Sequence, residues 1–262
     1  MSERSANGGE AGNLLSRRGF VVAMAGSALA AGAGVARAAA RNIVDVHAHY
    51  MSPAVKEAVG ASGPMSNWSL QAHLEEMDKA GVERSLFSLT TPGISATGER
   101  GRALVRATNE YVARIMGDHK GRIGSFLYLQ ALDTDATLKE IEYGLDTLKA
   151  NGVNLYTNYD GKWLGDPVFD PIFAELERRK AVVYVHPTSG PCCRGLLPVV
   201  ADTVVEYGTD TTRAITNYVY RGAARRYPNV RMIWSHSGGT MPFLIERYDF
   251  VDRTRKPEAP DG

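Results

Sequence analysis

The sequence predicts an α/β fold, a parallel sheet of about six strands wound by helices. Two observations predict it. Short β-branched runs alternate with amphipathic helical stretches along the chain, and neither an internal repeat nor a low-complexity linker interrupts them after Ala40. Four of the six histidines sit at the C-terminal ends of three predicted strands, the edge where such sheets carry their sites.

Ile43-Val44-Asp45-Val46 reads as the first strand. Ser69 caps a helix with Leu70, Leu74, Met77 and Ala80 on one face, and Gly81 ends it. Ser85 to Leu89 is the second strand. Arg102 to Met116 is a helix with Leu104, Ala107, Tyr111 and Ile115 in register, and Ile123 to Leu129 is the third strand. The spacing of Leu138, Ile141, Leu145 and Leu148 predicts a helix from Asp135 to Ala150, leading to a fourth strand at Val153 to Tyr156. A helix from Pro171 to Lys180 precedes a fifth strand at Ala181 to Val185. A largely helical stretch from Thr203 to Arg226 precedes a sixth at Val230 to Trp234, and Thr240 to Phe250 is the last helix. Strand signals stop at six, and the tail from Asp252 carries breakers and charges.

The 262 residues are 44% hydrophobic and 23% charged, which excludes a disordered chain or a disulfide-dense mini-protein. Lys and Arg number 30 against 29 Asp and Glu, so nothing in the charge calls for nucleic acid or an anionic lipid surface. Residues 1–40 form a separate segment. Arg17-Arg18 precede an apolar run from Phe20 to Val35, and Ala36-Arg37-Ala38 offers a small-x-small cleavage site. This order predicts a twin-arginine-type export signal and a periplasmic or secreted product. The run is shorter than the ~20 residues of a spanning helix, so no stable membrane anchor is expected after cleavage. Residues 41–262 form the predicted functional domain.

His47 and His49 follow the first predicted strand, with their i, i+2 spacing on one side of an extended segment. His186 follows the fifth strand and His236 the sixth. Imidazoles gathered at one mouth suit Zn²⁺ and related divalent metals. His73 and His119 read as packing or solvated residues. Cys192-Cys193 reads as a pair of free thiols near the mouth, since an adjacent disulfide is strained. Gly238-Gly239 reads equally as an anion-facing turn or as a tight strand-to-helix turn. Tyr156, Thr157 and Asn158 are candidates to line a pocket, and Arg213 is expected in a helix-surface salt bridge.

Val44-Asp45-Val46-His47-Ala48-His49, Tyr184-Val185-His186-Pro187-Thr188 and Ile233-Trp234-Ser235-His236-Ser237-Gly238-Gly239-Thr240 together resemble the amidohydrolase superfamily. They are most similar to its branch typified by aminocarboxymuconate-semialdehyde decarboxylase, and Leu164 to Phe173 is similar to a segment common there. The resemblance covers about Ile43 to Tyr248. It implies a (β/α)8 TIM-type barrel, incomplete here and lacking the last two strands. It implies His47, His49 and His186 as metal ligands and His236 as the catalytic acid/base. One divalent metal is implied, Zn²⁺ first and Mn²⁺ second, with no organic cofactor. The implied reaction is loss of CO₂ from a small unsaturated or aromatic carboxylic acid. The family's further aspartate ligand after an eighth strand has no counterpart motif here, and Asp249 and Asp252 lie on or beyond an outer helix. Truncation is the expectation, with open sheet edges compatible with a homodimer. Two other readings stay open: a metal-dependent hydrolase using the same ligands, and an inactive remnant.

Overall fold

β1 (Ile43–Tyr50) opens a sheet that β2 (Val82–Leu89), β3 (Ile123–Tyr128), β4 (Gly152–Tyr156), β7 (Val182–His186) and β8 (Arg231–Trp234) extend in that order, every neighbouring pair parallel. The computed structural model describes residues 42–60, 65–91 and 93–254. The predicted export signal at residues 1–40 lies outside them. Among the described residues no helix is long and apolar enough to cross a membrane.

The strand-to-helix alternation read from the sequence holds throughout. α1 (Pro53–Val59) and α2 (Leu70–Ala80) follow β1, α3 (Gly98–Asp118) follows β2, and α4 (Thr134–Glu142) follows β3. α5 (Asp170–Arg178), α6 (Asp202–Tyr220), α7 (Ala223–Arg226) and α8 (Met241–Thr254) complete the order. The result is six strands of a curled half-barrel with its helices, the incomplete barrel expected. All residues of β3 and β4 are buried, as strands covered on both faces must be. Their side chains feed two apolar clusters. One is built on Leu127, Leu155, Phe169, Phe173 and Val183, the other on Tyr50, Phe87, Val112 and Tyr128.

The capping chemistry agrees with the sequence. Ser69 Oγ accepts the Ala72 N–H, and Gly81 closes α2 at φ +70°, where a side chain would be strained. Three elements depart from expectation. α4 ends at Glu142 and opens into a wide π-type turn over Tyr143–Thr147 instead of running to Ala150. Gly144 there lies so close to the Leu127 side chain that a Cβ would overlap it, and Lys149 at φ +59° turns the chain away. A small antiparallel hairpin, β5 (Asn158–Tyr159) with β6 (Lys162–Trp163), follows β4. Cys192 and Cys193 are joined as an adjacent disulfide, not the free thiols expected, and they are not among the residues lining the site cavity.

Candidate metal centre and its cavity

β1 carries two of the four site histidines within the strand, not beyond it as the shorter predicted strand implied. Its pairing with β2 slips between Asp45 and Ala48, so that two residues of β1 oppose one of β2. Such a bulge re-aims a side chain and frees a backbone N–H. Here the freed N–H belongs to His47, and Asp45 Oδ1 accepts it at 2.8 Å. Past the bulge, His49 pairs with Ser88, and Ala48 and Tyr50 point to the apolar core.

His186 is the last residue of β7 and pairs with Tyr156 of β4. It is 2% exposed. His236 stands two residues past β8, at φ +50°, followed by Ser237 at +56°, Gly238 at +75° and Gly239 at +65°. Four consecutive left-handed residues make a tight, strained turn that projects the imidazole back over the sheet. The Gly238 N–H donates to Ser235 O and the Gly239 N–H to His236 O, so both are consumed within the turn and neither faces an anion. Gly239 must remain glycine: its Cβ would sit 2.1 Å from the Gly208 carbonyl oxygen of α6.

All four predicted histidines come together. The rings of His47 and His49 are 4.8 Å apart by centroid, His49 and His186 4.8 Å, His47 and His236 4.8 Å, and His186 and His236 5.4 Å. The ligand atoms of His47, His186 and His236 all lie within 4.8 Å of one another. His49 joins them through its Nε2, 3.1 Å from His47 Nε2. Asp249 lies out on α8, paired with Arg253 at 2.7 Å.

The nitrogens are prepared for a cation. His186 Nδ1 donates to the Pro187 carbonyl at 2.8 Å, which leaves Nε2 bare in the neutral ring. His49 Nδ1 stands 3.2 Å from the Ser88 carbonyl and is held the same way. One proton or one cation must then lie between His47 Nε2 and His49 Nε2. Burial, then the neighbouring imidazoles His49 and His236, push His47 down to about 4. Burial, then His49, push His186 down to about 3. Burial also lowers His49 and His236. Neutral, convergent imidazoles are a donor set that suits a divalent metal of the zinc type, so the residues fit such an ion.

These shifts carry a pH prediction for the metal-free protein. The unfolded chain's imidazoles protonate near 6.5, whereas His47 and His186 resist protonation in the fold until about 4 and about 3. Below 6.5 the unfolded state therefore binds more protons. Stability falls as pH drops from about 6.5 and levels off near 3, with no contribution from these groups above 6.5. Denaturant titrations of chelator-treated protein across that range check it, and a flat profile from 6.5 to 4 would be the contrary result.

A cavity of about 450 Å³ opens above the histidines. Met51, Val55 and Leu89 give it apolar walls, and Lys56 stands at its rim, its Nζ 2.9 Å from the Ser66 carbonyl. Tyr207 of α6 closes one side, its ring centroid 5.8 Å from His186 and 6.0 Å from His236. Its hydroxyl is 2.6 Å from Thr91 Oγ1, across the mouth from β2. Of the pocket candidates read from sequence, Tyr156 lines a second cavity instead, while Thr157 and Asn158 are buried against Asp210. Arg213 makes the expected helix salt bridge, 3.4 Å from Glu206.

The sequence profile of the amidohydrolase family matches residues 44–255. The chain belongs to the amidohydrolase family. Within it, the chain is 36% identical to a 6-methylsalicylic acid decarboxylase from Penicillium expansum, over 78% of this chain and 66% of that protein. The chain spans 60–66% of the length of the first curated relatives it matches. Its fold matches the crystal structure of a 2,6-dihydroxybenzoate decarboxylase from Rhizobium with a TM-score of 0.73 at 20% identity, covering 84% of this chain and 74% of that one. It also matches a 5-carboxyvanillate decarboxylase from Novosphingobium aromaticivorans, complexed with manganese and 4-hydroxy-3-methoxy-5-nitrobenzoic acid. There the TM-score is 0.71 at 17% identity, over 81% of this chain and 70% of the other. The family is the one the histidine motifs of the sequence resemble.

Proposed function

We propose that the chain carries the metal centre and substrate cavity of a metal-dependent decarboxylase acting on a small aromatic carboxylic acid. The convergence of four neutral imidazoles on the floor of one largely apolar cavity carries this reading. The decarboxylase names of its relatives support the reaction, and the manganese in one structural neighbour supports the metal class. Zn²⁺ is the proposed ion, with Mn²⁺ as the alternative.

His47, His49 and His186 are the proposed metal-holding residues and His236 the acid/base. How each is carried supports this division. The first three arise from hydrogen-bonded strands of the sheet, which hold an imidazole rigidly. His236 sits exposed on a strained turn, with access to solvent protons that a recycling acid/base needs. A bound divalent metal would supply a Lewis acid that holds the substrate carboxylate or an adjoining oxygen. The ring then lies against Met51, Val55 and Leu89, which exclude water from the carbon that loses CO₂. Lys56 at the rim attracts the anionic substrate. The bond between ring carbon and carboxyl carbon breaks, its electron pair stays on the ring, CO₂ leaves, and His236, having taken up a proton from solvent, delivers it to that carbon. The arginine pair and apolar run ahead of residue 41 support export of the folded protein.

Incubation of the metal-loaded chain with 6-methylsalicylate and 2,6-dihydroxybenzoate tests the proposal. The expected result is CO₂ and the matching phenol in equal amounts, abolished by a chelator. No product from either acid would count against the decarboxylase reading.

A further inference from the structure

Asp210 is a carboxylate with no access to solvent, on α6, and no step above uses it. It is fully engaged. Its Oδ2 accepts from the Thr157 hydroxyl in a short hydrogen bond and from Asn158 Nδ2 at 2.6 Å. Its Oδ1 accepts from Trp163 Nε1 at 2.8 Å, and Arg213 lies 3.8 Å away. Burying a carboxylate is costly even when its partners satisfy it, so its position asks for a use.

Thr157 supplies the connection. Its backbone N–H donates to the His186 carbonyl at 3.0 Å, and its Oγ1 accepts the Thr188 N–H at 3.1 Å. One residue thus pins the chain on both sides of Pro187, whose carbonyl receives the Nδ1 proton of His186. Thr157 Oγ1 can accept from Thr188 in this geometry because its own proton is committed to Asp210. From this chain of contacts we infer that Asp210 is a positioning residue: through Thr157 it sets the orientation of the His186 imidazole toward the metal.

The inference rests on the metal reading of the histidine cluster. An asparagine at 210 presents one acceptor and one donor where three donors converge, so at least one contact becomes donor against donor. Valine at 157 keeps the shape of threonine and removes only the hydroxyl link.

Titration with Co²⁺ alone, followed by its visible absorption, reads the effect without any turnover. Asp210→Asn and Thr157→Val are each expected to weaken Co²⁺ binding by about 10–100-fold, the usual cost of losing an outer hydrogen-bond partner. The double variant should be no weaker than the worse single, since both cut one chain of contacts. Thr157→Ser, which restores the hydroxyl, should bind as the wild type does. Thermal melts of the metal-free proteins separate this from mere destabilisation. Variants that melt earlier yet bind Co²⁺ within about twofold of wild type would overturn the inference. If Asp210→Asn does not fold, the valine and serine variants at 157 decide the question by themselves. A wild-type chain that binds no Co²⁺ would overturn the metal reading, and this inference with it.

Discussion

Replacing His236 by asparagine is expected to lower the decarboxylation rate by about 10²–10⁴-fold, the usual worth of a positioned acid/base, while the chain keeps its metal. Asparagine occupies similar space and can still reach the Ser235 hydroxyl, which lies 3.3 Å from His236 Nδ1. It tolerates the left-handed φ of +50° at that position better than most residues. What it cannot do is carry a proton between solvent and a ring carbon. The measurement pairs turnover with elemental analysis of the purified variant. Because His236 belongs to the trio whose ligand atoms lie within 4.8 Å, the metal content is the decisive half. A variant that loses its metal would make His236 a ligand and move the acid/base role elsewhere.

Removing both imidazoles of β1 has the larger structural logic. His47→Ala with His49→Ala takes away two nitrogens that stand 3.1 Å apart and leaves His186 as the one strand-borne donor. Metal content is expected to fall from about one per chain to near zero, with turnover lost alongside, since a divalent ion needs three or four ligands to stay bound at ordinary concentrations. The apolar core is untouched, because Ala48 and Tyr50 provide the packing of that strand and the histidines face the cavity. Near-normal metal content in this variant would refute the site.

The order of strands and helices was legible because parallel strands buried on both faces leave unbroken apolar runs such as Val182 to Val185. The histidines were legible as a group because each lies in the C-terminal half of its strand or just past it. Other features were not legible, for identifiable reasons. The end of α4 depends on how closely Gly144 approaches Leu127, a contact between elements that no local spacing encodes. The bulge at His47 shows in pairing with β2 and leaves no mark on β1 alone. Asp210 sits in the middle of a helix, where a carboxylate ordinarily faces water. Its burial follows from Thr157, Asn158 and Trp163, about fifty positions earlier in the chain. The one local sign was its placement three residues after Tyr207, on the same face of α6.

The curled sheet ends in two edges, β1 and β8, with no strand between them among the described residues. His47 rises from the first edge and His236 just beyond the second, with their rings 4.8 Å apart. The histidine cluster is therefore where the two margins of the sheet approach one another. An ion held there by residues of β1 and β7 would act as a buckle, joining an outer strand to one near the opposite margin. Filling the site would then raise the free energy needed to part those margins. Amide protons along β1, which has a hydrogen-bonding neighbour on one side only, would then report the site's occupancy as faithfully as any spectrum of the ion.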